Sequence, residues 1–418
     1  MRARERLKGL VILMFKKPKE GAFLSLLALV AALSFSIALF EIFFVIFLSF
    51  VLLSFTKEKS FGIYRNLFFL CAALYVLANL VSFFQTDYWY TSLRGMIKVL
   101  KNVLLCMGAY AVVDSTEKLK RVFQCFLFTA VVIGIDACFQ GWLGRDLILG
   151  RGMTPFHGET QRLTGPFRHA NDFSAYLSLL FILFAGIADN GFRIFSKKKY
   201  VLFMAGFVVT FICLLGTYSR GAWFAVAVSF FAMVFYKRSR WLVLLAVLAV
   251  GGAALFSPPL LKERFLSSFD RQSSTVIERK ELWGESLRMI RERPYFGWGI
   301  NTYARHEPRY KSPDVKSDNQ YAHNGYLQMA AEIGWIGLGS FVFVIGGFLA
   351  QTLRAFWDSR GEGALRAIGT AFTFAVFSFL LHSLTDTNLH SILLVNTLWL
   401  VMGLALAAGR LYEGTVSA

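Results

Sequence analysis

Residues 21–55 read GAFLSLLALVAALSFSIALFEIFFVIFLSFVLLSF. A membrane crossing takes about 20 apolar residues, so this run is too long for one helix and suits two short ones. It predicts a pair of helices joined by a tight turn near Ser34–Phe40. The run follows Met-Arg-Ala-Arg-Glu-Arg and then Lys16, Lys17 and Lys19. A cleavable leader would have one short apolar region and a small-residue cleavage site. The expectation is therefore an uncleaved membrane hairpin.

Similar runs recur to the end of the chain. Hydrophobic residues make up 56% of the 418 residues, charged residues 17%, and Phe alone occurs 44 times. Soluble domains carry about a quarter charged residues, so two or three soluble domains are excluded. So is one soluble enzyme on a single anchor. Cys71, Cys106, Cys125, Cys138 and Cys213 are scattered without CxxC spacing. They suit neither a disulfide scaffold nor a zinc site and read as buried thiols among helices. The fold class predicted is all-α: a polytopic membrane protein of about 12 helices, because backbone polar groups inside lipid must be satisfied within the span. The spans fall near 21–37, 39–55, 63–84, 93–113, 122–140, 171–189, 199–216, 221–236, 241–257, 324–350, 364–384 and 391–409. They divide the chain into helices over 1–257, a large loop at 258–323 and closing helices over 324–418.

Alternate connections differ sharply in charge. One side carries 24 Lys and Arg, from the amino-terminal cluster through Lys57, Lys118, Lys197–Lys199, Lys237 and Arg354 to Arg410; the opposite turns at 38, 85–92 and 385–390 carry none. The positive-inside rule predicts both termini in the cytoplasm. Much of the +18 net charge is this signal, so it implies no nucleic-acid partner. Two outer segments are exceptions. The first, about 141–170, holds Arg145, Arg151, Arg162 and Arg168; the second, 258–323, has twelve basic and nine acidic residues. Arg220 lies in a short turn on the same side. Collectively these arginines suit an anionic ligand on the outer face. Within the large loop, Ser273-Ser274-Thr275 precedes an amphipathic pattern over Val276–Arg293, which Pro294 ends. Phe296-Gly297-Trp298-Gly299 reads as an aromatic turn at the membrane surface, and 300–322 as irregular.

Four segments carry a resemblance. Tyr321-Ala322-His323-Asn324-Gly325-Tyr326-Leu327-Gln328, with Glu332-Ile333-Gly334-Trp335, resembles the signature of the O-antigen ligase and polymerase superfamily. Thr217-Tyr218-Ser219-Arg220-Gly221-Ala222 resembles that family's Ser-Arg-Gly turn. Arg279 to Trp283, with Pro294, Gly297, Gly299 and Asn301, resembles its large loop. Arg162-Leu163-Thr164-Gly165-Pro166-Phe167 is similar as well, although His169-Ala170-Asn171 replaces the Asn-Pro-Asn often found there. The match covers about 160–340.

The resemblance implies a glycosyltransferase of the bacterial inner membrane, with its active site facing the periplasm. It would move a glycan from undecaprenyl diphosphate to an acceptor hydroxyl, that of lipid A–core in a ligase. Negative charge then builds on the departing diphosphate. Guanidinium groups bind phosphate oxygens bidentately, and placed where charge develops they stabilise the transition state. Arg220 and Arg279 are the candidates. His323 suits general-base work near neutral pH. Arg162, Asn324 and Tyr326 are candidate substrate-binding residues. Arg94, Lys98 and Lys101 follow at helical spacing in the fourth span; they either hold the diphosphate from the membrane side or snorkel to the surface. Glu332 reads as a buried structural partner.

No Asp-x-Asp pair, Walker loop or dinucleotide turn occurs, which argues against a nucleotide-sugar donor. No cofactor or metal is expected, and the remaining histidines show no ligand spacing. The partners expected are the lipid-linked donor, the lipid A–core acceptor and membrane lipids. An O-antigen polymerase and a protein O-oligosaccharyltransferase share the chemistry. A transporter or flippase is the rival of another class, disfavoured because no internal repeat is evident.

Overall fold

The computed structural model describes residues 14–58, 61–157, 160–188, 191–239, 243–244, 259–266, 274–311, 321–357 and 363–416. The chain is an all-α, multi-pass membrane protein. Among the described residues, eight helices are long and apolar enough to cross a membrane. The first hairpin forms as expected, from α1 (Pro18–Ala32) and α2 (Ile37–Glu58). Then come α3 (Leu67–Phe83), α4 (Trp89–Val112) and α5 (Thr116–Leu143). Asn66 caps α3 by accepting from Phe69 N–H, and Ser115 caps α5 by accepting from Lys118 N–H. Such caps satisfy amides that the first helical turn leaves open. After α5 the chain forms a small antiparallel hairpin, β1 (Thr154–His157) and β2 (Thr160–Arg162), which the helical expectation did not include. Next are α6 (Ala170–Ile187), α7 (Lys197–Gly216) and α8 (Arg220–Lys237). The ninth expected span, 241–257, lies outside the described residues apart from 243–244.

The large loop contributes α9 (Pro259–Leu266) and the amphipathic α10 (Ser274–Glu292). The chain closes with α11 (Gly325–Trp357), α12 (Ala364–His382) and α13 (Ile392–Val416). Helices α6 and α13 form the interior, almost wholly buried, whereas α2, α7 and α11 are largely outward-facing. Helix α6 packs on α12, α3 on α11, and α13 on α4 and α12. On α2, Ile37, Leu39, Ile42, Val45 and Leu52 point outward, the pattern of a surface solvated by acyl chains rather than water.

The two ends of the bundle differ. At one end Lys118 pairs with Glu20 and Asp114, Lys19 pairs with Asp114, and Arg410 donates to the Val113 carbonyl. At the other end meet the carboxyl ends of α5, α7 and α12 and the amino ends of α6, α8 and α11. The aromatic turn after α10 is buried there rather than spread on a membrane surface. Trp298 is 3% exposed, because its N–H pairs with the Ala331 carbonyl, its indole N–H with Met289, and its ring lies under Arg293. This seating depends on a break in α11. Gly334 has φ 69, and the amides of Trp335 and Ile336 bond to the carbonyls of Pro294 and Tyr295 instead of their own helix. A Cβ at Gly334 would overlap the Tyr295 carbonyl.

Candidate active site

His323 sits where the large loop enters α11. Asn324 caps that helix: its Oδ1 accepts from the amides of Tyr326 (3.0 Å) and Leu327 (3.1 Å). Tyr326 donates its hydroxyl to Leu380 O at 2.9 Å. Gly325 N–H bonds to Ser383 O and Asp386 O. The entry of α11 is thus fastened to the α12–α13 turn. His323 itself has φ 45, a left-handed conformation uncommon for a side chain of this size. Tyr218 (φ 50) and Asn301 (φ 64) share it, and both belong to the quoted motifs. Backbone strain of this kind collects at functional sites.

The fastening brings His323 Nδ1 to 3.3 Å from Asp386 Oδ1. Asp386 also accepts from Thr387 N–H at 2.8 Å. Burial acts to raise this carboxyl, but the hydrogen bond and charge of His323, with His382 nearby, hold it well below the usual carboxylate range. An imidazole whose Nδ1 faces a carboxylate has its Nε2 left for proton transfer.

Four arginines from four separate elements cluster together beside this pair, Arg162 within electrostatic range of Asp386. Arg162, ending β2, donates from Nε to Thr217 O and from Nη2 to Asn171 Oδ1, both at 2.6 Å. Leu163 N–H bonds to Gly216 O, so the hairpin is strapped to the α7–α8 turn. Arg220 opens α8 in that turn. Its neighbour Gly221 lets the turn press on the α12–α13 turn: a Cβ there would overlap Thr385 Oγ1 and lie 3.2 Å from His382 Cδ2. Arg264, on α9, donates to Tyr218 O at 3.3 Å. Arg279 is on the first turns of α10 and acts electrostatically on Arg162, Arg220 and Arg264. Burial and then Arg279 depress the Arg162 guanidinium to about 10, against the opposing pull of Asp386. Burial, followed by Arg220, Arg162 and Arg279, likewise brings Arg264 to about 10. Like charges held together in a partly buried place favour an anion between them. Asp172, at the start of α6, is within electrostatic range of Asp386.

Sequence reasoning had named Arg162, Arg220, Arg279 and His323, and the structure brings all of them into this cluster. It had missed Arg264 and Asp386. Arg264 lies beside Lys262 and Glu263 and looks like part of a solvated helix. Asp386 is the lone carboxylate of a short turn, and that isolation among apolar spans was the available signal. Asn324 and Tyr326 are present, with side chains engaged in fixing the α11 entry. The α4 basic stripe divides among separate partners. Arg94 is exposed and donates to Tyr90 OH at 2.9 Å, Lys98 donates to His390 O, and Lys101 pairs with Glu41. Lys98 lines a cavity of about 60 Å³ with Asn79, Asn102, Gln328, Glu332 and His390. Glu332 accepts from the amides of Asn301 (3.0 Å) and Tyr303 (3.2 Å), holding the loop against α11.

Residues 205–342 match the family model described as O-antigen ligase. Over that segment the chain is similar to the O-antigen ligase family. The matched segment is about a third of the chain and includes Arg220, Arg264, Arg279 and His323. A Haemophilus influenzae protein described as "Uncharacterized protein" is 24% identical over 174 residues, 36% of this chain. The chain spans 44% of that relative's length. Arg162 and Asp386 lie outside the segment that matches the O-antigen ligase model, yet they meet the motif residues in space.

Proposed function

We propose that this protein transfers O-antigen glycan from undecaprenyl diphosphate to a sugar hydroxyl of lipid A–core, at the periplasmic face of the bacterial inner membrane. The observation that carries the reading is the mutual clustering of Arg162, Arg220, Arg264 and Arg279, with Arg162 in electrostatic range of the Asp386 that pairs with His323. His323 Nε2 takes the proton of the acceptor hydroxyl as its oxygen bonds to the anomeric carbon. The bond from that carbon to the diphosphate breaks, and the electron pair leaves on the diphosphate oxygen. The arginines stabilise the charge developing there. Asp386 positions the imidazole and stabilises it once protonated. Single displacement gives inversion at the anomeric carbon. Asn324 and Tyr326 hold His323 in place, whereas Arg94, Lys98 and Lys101, each engaged with a different partner, have no role at the diphosphate. Both termini lie in the cytoplasm, in keeping with the basic cluster around Lys19, Lys118 and Arg410 at the far end of the bundle.

Reconstitution tests this. Purified protein, lipid-linked glycan and lipid A–core should yield glycan-capped lipid A, and His323→Ala should abolish it. Longer glycan on the carrier would instead assign polymerase activity, and capped serine or threonine a protein acceptor. No transfer to any acceptor by folded protein would overturn the reading.

A further inference from the structure

Cys138 on α5 is exposed, against the expectation of buried thiols, whereas Cys213 on α7 is fully buried. The two helices run in the same direction towards the arginine cluster and meet along one seam. Gly206 faces Val131, where a Cβ would come within 2.9 Å. Gly134 faces Val209, and Leu163 lies over both Gly141 and Gly216, whose Cβ positions would be 3.5 and 2.6 Å from it. The seam on α5 is therefore 131, 134, 138, 141, and on α7 it is 206, 209, 213, 216. Spacings of three and four residues keep one face of a helix, and the same order of steps on both keeps the register. Cys138 and Cys213 occupy the matching rung, each the other's side-chain neighbour across the seam. Cys213 Sγ also reaches Gly134 O at 3.6 Å.

The rung lies at a depth the polar chain reaches. After α5 the backbone turns back, and the amides of Leu147 and Ile148 bond to Asp136 Oδ1 at 2.8 and 3.2 Å. Asp136 precedes Cys138 on α5, so Cys138, itself exposed, lies no deeper from the arginine-cluster end than the folded-back chain does.

We propose that Cys138 and Cys213 form an intramolecular disulfide tying α5 to α7. The step is thiol–disulfide exchange with a disulfide-bearing oxidant of the extracytoplasmic space, and so rests on the outward placement of the arginine cluster. The Cys138 thiolate attacks the oxidant's disulfide and releases one oxidant thiol. The Cys213 thiolate then attacks Cys138 Sγ and releases the second. Two protein thiols become one disulfide, and the oxidant's disulfide becomes two thiols. One turn above, Leu163 lies between Gly141 and Gly216, and Arg162 is anchored on Thr217 O. The bond closes the support beneath that arginine.

The test uses full-length protein in membranes from cells. Free thiols are blocked under denaturing conditions, disulfides reduced, and the released thiols labelled with a polyethylene-glycol maleimide. Wild-type protein should gain two labels, and Cys138→Ser and Cys213→Ser none, with Cys71, Cys106 and Cys125 blocked throughout. Labels persisting in either variant would overturn the pairing. A parallel sample is treated with diamide before blocking. No labels without diamide and two with it would overturn the outward placement, and hence the bond in cells. None under either condition would overturn the contact itself.

Discussion

Gly221→Ala perturbs the approach of two turns without touching a charged group. The added methyl would overlap Thr385 Oγ1 and come to 3.2 Å from Thr385 Cβ and His382 Cδ2. Thr385 is not free to swing aside at no cost, because its hydroxyl donates to His382 O at 3.2 Å. The turn carrying Arg220 must withdraw by about 1 Å, a misplacement that costs on the order of 100-fold in rate. At about 1.4 kcal/mol per tenfold, this is about 2.7 kcal/mol of transition-state stabilisation. The assay is steady-state transfer of lipid-linked glycan to lipid A–core, with melting temperature measured alongside. The loss should appear in kcat more than in KM, since the rest of the donor still binds. Gly221→Ala/Thr385→Ala should regain at least tenfold, because it removes the worst overlap and leaves contacts of 3.2 Å. A folded Gly221→Ala protein within threefold of wild type would refute the claim that this contact sets the position of Arg220.

Three further outcomes are expected. Asp386→Asn keeps the shape of the α12–α13 turn but removes the carboxylate facing His323, and kcat should fall by about 10²-fold or more; an unchanged kcat would remove Asp386 from the mechanism. Inorganic pyrophosphate should raise the melting temperature, by about 2.7 kcal/mol of stability at 100 times its Kd, and Arg264→Gln should diminish that gain severalfold in calorimetry. His390, between α12 and α13, is brought down to about 3 by burial and then by Lys98. Its unfolded form binds a proton near 6.5 while the folded form stays neutral. Stability is therefore full above about pH 6.5 and lost as pH falls from there towards 3, by up to about 1.4 kcal/mol per unit. His390→Gln should flatten that limb in urea unfolding followed across pH.

The apolar runs made most of the membrane helices legible, because lipid admits few other ways to satisfy a backbone. The amphipathic α10 was readable from spacing and from Pro294. The hairpin that carries Arg162 was not, since its strands are four and three residues long and owe their form to the strap on Gly216 and Thr217. The motif residues Arg220, Arg279 and His323 could be picked from the family resemblance and the chemistry it implies. Their assembly could not, because Asp386 is 63 residues from His323 and only the tertiary fold joins them. Trp298 misled for a related reason. An aromatic residue in a loop is as suited to a membrane surface as to a buried slot, and the break at Gly334 that decides between them leaves no periodic trace. The α4 stripe shows the same limit: Arg94, Lys98 and Lys101 share helical spacing but not a destination.

The break at Gly334 bears on how family members could be recombined. Because Pro294 to Tyr303 is stitched to α11 by backbone bonds and by the Glu332 carboxylate, the sequence loop and the mechanical loop have different ends. A graft that exchanges everything between α8 and α11 would separate each donor amide from the helix it was built against. A graft with its junctions placed after Tyr303 and before Tyr321 keeps that stitching intact. Only the second kind of chimera changes the exchanged segment while leaving the seating of α11 as it is.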